Sequence, residues 1–186
     1  MQFKLGRKKV LFQGKFVTLR STEFSDKSGK LQEWEYTDKN DVIAVLPITD
    51  DHKAVLVKNY RVPVERYVIE TPAGLTDKKG ESHEEAIKRE LLEETGYEAS
   101  KLVALPGWPY RSGTSRNMIY GFIATGLKKI TDIVGDDTED ISVIEVPLGK
   151  LTDLWLRPEK DVLFQPEILA MYQAAVSLGI VEELRP

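Results

Sequence analysis

The chain of 186 residues has no cysteine. Disulfides and thiol chemistry are thereby excluded, and the composition suits a reducing cytoplasm. It also lacks any run of about 18 apolar residues, so no transmembrane helix is expected. The basic start, Met1 to Lys9, is followed by an apolar stretch too short and too interrupted for a signal peptide. An excess of positive charge is missing as well: 26 Lys and Arg stand against 30 Asp and Glu, for a net charge of −4. A general nucleic-acid binder carries a basic face. A small anionic substrate stays open, because a local metal and a few arginines override the global sign. There is no internal repeat or low-complexity tract. What remains, 41% hydrophobic and 30% charged residues, is an ordinary soluble globular composition, long enough for one domain with a small appendage.

Hydrophobic patterning divides the chain at about residue 40. Val10–Arg20 alternates, Asp26–Lys30 reads as a turn and Leu31–Tyr36 returns, so residues 1–40 form an antiparallel β arm. Two or three strands bury too little to stand alone, and the arm must pack on the main body or on another subunit. Residues 41–186 alternate strands with two helices, which predicts an α/β fold with a mixed sheet sandwiched between helices. Val42–Ile48 and Lys53–Tyr60 are nearly continuous apolar runs joined by a hairpin turn at Thr49–His52, the pattern of strands covered on both faces. Further strands are expected at 66–70, 101–105, 118–125 and 141–146. A last helix is expected from Pro166 to Ser177, with Ile168, Leu169, Tyr172, Ala175 and Leu178 on its core side.

The other helix carries the chemistry. Ser82 and Glu85 have capping-box spacing and Gly96 stands where a helix ends in a left-handed residue. Between them Glu90, Glu93 and Glu94 share one side, since residues three and four apart are neighbours. Arg89 reaches Glu93 at i,i+4, but one guanidinium does not neutralise three carboxylates. A divalent metal would, and oxygen ligands without cysteine select Mg²⁺ or Mn²⁺. The bland alternative, a solvated acidic helix laced with Arg–Glu pairs, leaves the flanking glycines unexplained.

Gly74 to Tyr97 resembles the Nudix hydrolase signature, G-x5-E-x7-R-E-U-x-E-E-x-G-U, with Glu81, Arg89, Glu90, Leu91, Glu93, Glu94, Gly96 and Tyr97 in register. One departure stands out: six residues, not five, separate Gly74 from Glu81, so either the loop carries one inserted residue or Gly74 is not the equivalent glycine. The resemblance implies an α/β/α sandwich and cleavage of a nucleoside diphosphate linked to another group by metal-bound water. It makes Glu90 and Glu94 the main metal ligands with Glu93 in support, adds the Ala73 carbonyl, and leaves Arg89, Glu81 and Gly96 structural. Trp34-Glu35-Tyr36, Asn59–Pro63 and Glu70–Gly74 look like the ADP-ribose and nucleoside diphosphate sugar pyrophosphatases of that family.

Within that class the likeness assigns Arg61 to a phosphate, and Trp34 and Phe16 to the base, Phe16 by donation from the other subunit. Core packing is the alternative for both aromatics. Arg111 and Arg116, in the loop 106–117, are candidates for phosphate or sugar. Relatives take the catalytic base from an acidic loop before a strand; here that is Glu139, with Asp137 next, Glu139 also serving as a candidate second-metal ligand. An amide at Asn117, where ADP-ribose enzymes commonly have an acid, favours a broader sugar pocket. The expected activity is release of a nucleoside monophosphate and a sugar phosphate from a nucleotide sugar, by a homodimer with exchanged N-terminal arms. The alternatives are an ADP-ribose pyrophosphatase giving AMP and ribose 5-phosphate, and a sensor that binds without cleaving.

Overall fold

The computed structural model describes residues 3–132 and 140–182. The elements begin with β1 (Lys4–Gln13), β2 (Thr18–Ser25), β3 (Leu31–Asp38), β4 (Val42–Pro47) and β5 (Lys53–Arg61). Then come β6 (Arg66–Glu70), β7 (Ala73–Leu75), α1 (His83–Thr95), β8 (Tyr97–Ala104), β9 (Trp108–Pro109) and β10 (Met118–Lys129). The chain closes with β11 (Ile141–Pro147), α2 (Leu151–Leu156), β12 (Val162–Phe164) and α3 (Glu167–Ser177). They form two compact units, Met1–Val42 with Gly107–Ile119, and Ile43–Pro106 with Tyr120–Pro186.

The first unit is an antiparallel sheet in the order β1-β2-β3. The alternating run Val10–Arg20 is not one strand. It breaks where the Gly14 amide donates to the Val17 carbonyl at 2.9 Å, so Phe16 sits at the tip of a turn. The basic segment before it is itself strand, because lysines on an open strand keep their charges in water and guard the edge against stray pairing. Lys9 illustrates this with Glu23 at 3.0 Å and Glu33 at 3.4 Å. The Asp26 carboxylate makes the β2–β3 turn by accepting from the amides of Ser28 and Lys30 at 2.9 and 3.0 Å. Residues 107–119 join this unit through Thr37, whose amide donates to the Thr114 carbonyl at 2.9 Å.

In the second unit one sheet runs β7-β4-β10-β8 and another β11-β5-β6-β12. The latter is mixed: β5 is antiparallel to both β11 and β6, while β12 lies parallel to β6. As the apolar runs predict, β4 is almost wholly buried and β5 is buried from Ala54 to Val57, opening to solvent at Tyr60 and Arg61. Helix α1 packs against β7 and β8 of one sheet and β5 and β11 of the other. Its Ala86, Ile87 and Leu91 join Ile43, Val45, Phe122 and Ala124 in one core. Four elements, β7, β9, α2 and β12, were not expected from the sequence; at two to six residues they are too short for a periodicity to register. Leu178, expected on the core side of the last helix, is 56% exposed because α3 ends at Ser177. Strands β8 and β10 run longer than 101–105 and 118–125, since their exposed ends Glu98 and Lys128 are paired across the ladder.

Both ends of α1 are fixed by the residues expected to do so. The Ser82 hydroxyl accepts from the Glu85 amide at 3.2 Å, and the Glu85 carboxylate accepts from the Ser82 amide at 2.8 Å. Such a cap contributes about 1 kcal/mol. At the other end Gly96 adopts φ 71°, and a Cβ there would lie 2.0 Å from the Thr131 carbonyl oxygen, so no other residue fits.

Candidate active site

Helix α1 lies on the short strand β7 by two contacts that involve its acidic side. The Glu90 carboxyl packs directly on Gly74: a Cβ at Gly74 would stand 2.2 Å from Glu90 Oε1. One turn later the Glu94 carboxylate accepts from the Ala73 amide at 3.0 Å. Glu90 and Glu94 are thus held beside the backbone of Ala73 and Gly74, and carboxylate oxygens are donors suited to a hard divalent cation.

Arg89 organises the rest. Its Nε and Nη2 donate to both oxygens of Glu81 at 3.0 and 3.1 Å. Its Nη1 donates to Glu90 at 2.7 Å and to Glu93 at 3.0 Å. The expectation that Arg89 would orient Glu93 alone was too narrow, because i,i+4 geometry overlooks the extended chain of Glu81 preceding the helix. With one guanidinium among three carboxylates, no group of three acidic or imidazole side chains closes into a cage by itself among the described residues.

The electrostatics nevertheless favour a further cation. The fork of hydrogen bonds from Arg89 holds the Glu81 carboxyl below its ordinary range. Glu90 goes the other way: burial pushes its pKa up, with Arg89 opposing and losing. A carboxylate kept short of compensating charge gains from a divalent ion. The oxygen donors present fit one; Glu90, Glu94 and the Ala73 carbonyl would hold it, with Glu93 in support.

A Nudix-domain model matches residues 38–170. The chain belongs to the Nudix family. It is 34% identical over 142 residues to an ADP-ribose pyrophosphatase of Bacillus subtilis (strain 168), covering 76% of each chain. It is 32% identical over 176 residues to an ADP-sugar pyrophosphatase of Mus musculus, covering 88% of this chain and 77% of the relative. A crystal structure of an ADP compounds hydrolase superposes with a TM-score of 0.80 over 97% of this chain and 98% of that one. At 23% identity this last likeness shows the fold.

The Nudix signature carries one loop residue more than the family pattern, and the packing locates it. Gly74 is the glycine beneath Glu90, so the additional residue falls between it and Glu81. There Gly80 turns the chain at φ 87° with no atom near its Cβ position. The loop absorbs the insertion in open space, and the helix beyond it keeps its register.

Arg61 ends β5, with its Nε and Nη2 on one oxygen of Glu70 at 2.9 and 2.6 Å. In the other unit, Trp34 is 55% exposed, and its Nε1 donates to the Gly113 carbonyl at 2.8 Å. It lines a cavity of about 440 Å³ with Phe24, Tyr36, Ser112 and Arg116. Arg116 is held there by Asp38 at 2.9 Å. Phe16 is 80% exposed, with Lys15 Nζ 4.8 Å above its ring; core packing is excluded for both aromatics. Arg111 is exposed and supplies a carbonyl that turns the loop, accepting from the amides of Thr114 and Ser115 at 2.9 and 2.8 Å.

Asn117 is 4% exposed and accepts from the Ser115 hydroxyl. That makes it a brace of the loop interior. Glu139 and Asp137 lie outside the described residues. The neighbouring Asp140 accepts from the Tyr67 hydroxyl, while its carbonyl accepts from the Tyr60 amide at 3.0 Å. Sequence reasoning gave no individual role to Glu70, Asp38 or Tyr67. Only Glu70 carried a signal, an acid one residue before the Thr71–Gly74 turn.

Proposed function

We propose that this Nudix hydrolase cleaves the diphosphate of nucleoside diphosphate sugars, releasing a nucleoside monophosphate and a sugar phosphate, with Mg²⁺ as its ion and Mn²⁺ as a substitute. The observation that carries this is the seating of Glu90 and Glu94 on Gly74 and Ala73. Bound there, the ion supplies charge neutralisation of the diphosphate and activation of water. Glu93 supports those ligands. Arg89 keeps Glu81 and Glu93 in place, so the acidic side of α1 does not splay by self-repulsion. Arg61 takes a phosphate oxygen, since a guanidinium forms paired charge-assisted hydrogen bonds with one.

Trp34 stacks the base, with Phe16 of a second copy opposite it. Stacking accepts any base, so it does not choose one. Arg111 and Arg116 are assigned to sugar and phosphate oxygens, and Glu139, then Asp137, to the catalytic base. The N-terminal arm, residues 1–40, exchanges between the subunits of a homodimer. Support comes from β1, which is exposed along nearly its whole length and bears Leu5, Val10 and Phe12 to solvent. The absence of cysteine suits the cytoplasm, and among the described residues no helix is long and apolar enough to cross a membrane.

The name of the Bacillus subtilis relative, an ADP-ribose pyrophosphatase, favours a narrower reading, ADP-ribose as the substrate with AMP and ribose 5-phosphate as products. Phosphorus NMR of the products from a panel of nucleotide sugars and ADP-ribose in ¹⁸O-water separates the two. It reports which compounds are cleaved and which phosphorus acquires the label. If kcat/KM for ADP-ribose exceeds that for every nucleotide hexose by orders of magnitude, the broader assignment fails. Binding without any phosphate product in Mg²⁺ points to the sensor reading.

A further inference from the structure

Glu70 has no part in the signature, yet it is the residue that decides where Arg61 points. Along the β5–β6 ladder Arg61 lies opposite Arg66, and Glu70 lies opposite Val57. The like charge of Arg66 disfavours that side for the guanidinium. Arg61 therefore folds back along the hairpin and places Nε and Nη2 on a single oxygen of Glu70 at 2.9 and 2.6 Å. The partners are unequal: the Glu70 side chain is 14% exposed and that of Arg61 is 45% exposed. The acid is the fixed post, and the guanidinium it holds still faces water.

The post is rigid because the backbone after it is tied down residue by residue. The Thr71 amide donates to Gln165 Oε1 at 3.4 Å. The Pro72 carbonyl accepts from the Val45 amide at 2.9 Å. The Ala73 amide donates to Glu94 at 3.0 Å, and Gly74 lies under Glu90. One five-residue run thus carries both the acid that orients Arg61 and the backbone on which the two principal acidic residues of α1 rest. A shift of that run moves both together.

We propose that Glu70 is a positioning residue for substrate, holding the Arg61 guanidinium in a fixed pose so that a diphosphate meets it already ordered. This rests on the assignment of Arg61 to a phosphate. Preorganisation of this kind removes the ordering cost from the binding step. An ion pair this open to water adds little to stability, so its loss is expected in KM rather than in the melting temperature.

The test is a double-mutant cycle on the full chain with Mg²⁺, following AMP release from ADP-ribose and GMP release from GDP-mannose. Arg61→Ala is expected to raise KM about tenfold or more, the loss of a charge-assisted contact. Glu70→Ala should raise KM by a comparable factor with kcat changed less than about threefold. Adding Glu70→Ala to Arg61→Ala should raise KM no further, because the acid acts only through the arginine. Glu70→Gln, which keeps an acceptor oxygen, should retain most of the affinity.

Multiplicative effects in the double variant overturn the proposal. So does an unchanged KM in Glu70→Ala when Arg61→Ala raises it, or a fall in kcat alone. An unchanged KM in Arg61→Ala instead removes the phosphate assignment itself, and the proposal with it. Thermal melts of the four proteins within about 2 °C of one another confirm that the fold is common to all.

Discussion

The tightest packing in the candidate site is testable by a single methyl group. In Gly74→Ala the added Cβ would lie 2.2 Å from Glu90 Oε1, 2.3 Å from Cδ and 2.6 Å from Cγ. To regain ordinary contact near 3.4 Å the carboxyl must retreat by about 1.2 Å. The whole terminal half of the side chain is involved, so a small twist does not suffice. Glu90 is also tethered to Arg89 at 2.7 Å, and moving it costs a rotamer strain of about 1 kcal/mol plus part of that ion pair. Overpacking of this kind destabilises by roughly 1–3 kcal/mol. Catalysis should suffer more: a misplacement of about 1 Å can cost on the order of 100-fold in rate, near 2.7 kcal/mol.

The expected outcome is a folded protein whose kcat for nucleotide-sugar hydrolysis in Mg²⁺ drops about 100-fold. Gly80→Ala is the control. It meets no atom but has φ 87°, so it should cost about 1 kcal/mol of stability and leave kcat within about threefold. If Gly74→Ala keeps kcat within that same margin while Glu90→Gln abolishes it, the contact has no functional meaning and the packing argument is wrong.

Glu94→Gln can still accept from the Ala73 amide through its amide oxygen, so its melt should be unchanged while kcat falls about 1,000-fold or more; near-normal turnover would refute its place in the metal site. Tyr97 donates to Glu145 at 2.7 Å, and this bond, with partial burial, pushes its phenol up to about 12. The fold therefore favours the neutral phenol. The resulting stability is complete below pH 10, the unfolded value, and is lost as pH rises through about 12. Tyr97→Phe should be less stable by about 1 kcal/mol at pH 7 and should lack the highest-pH transition in an absorbance titration at the tyrosinate band. An unaltered titration counts against the bond. Deleting residues 1–37 should halve the sedimenting mass and raise KM if arms are exchanged; a sedimentation coefficient per chain and a KM equal to the parent's would exclude exchange.

What was legible in the sequence were features written at short range. The Ser82/Glu85 box and the left-handed Gly96 lie at the caps of one helix, and each was found where expected. The turn between β4 and β5 is similarly local, closed by the Thr49 hydroxyl accepting from the Lys53 amide at 3.0 Å. The hairpin expected from it does not form: the two strands join different sheets and are bridged only at Ile48 and Ala54. Features that depend on distant residues were not legible. Nothing local tells that Gly74 is shaped by Glu90, or that Arg61 is opposed by Arg66 and so turns to Glu70. Val10–Arg20 misled because its alternation continues across Gly14, and a tight turn conserves the period on which a strand is recognised.

The first unit is assembled from two pieces of chain, Met1–Val42 and Gly107–Ile119. During synthesis its three strands emerge first and can pair at once, since their contacts are local. The bonds from Thr37 to Thr114 and Ser115, and from Asp38 to Arg116, span 77 or 78 positions. At roughly 5–20 residues per second, the sheet waits several seconds for its missing loop. Throughout that interval Trp34 has no Gly113 carbonyl to hold it, and the strand edges are most open to a neighbouring nascent chain. The order of synthesis thus gives a second copy its best access to the arm before the arm's own loop exists.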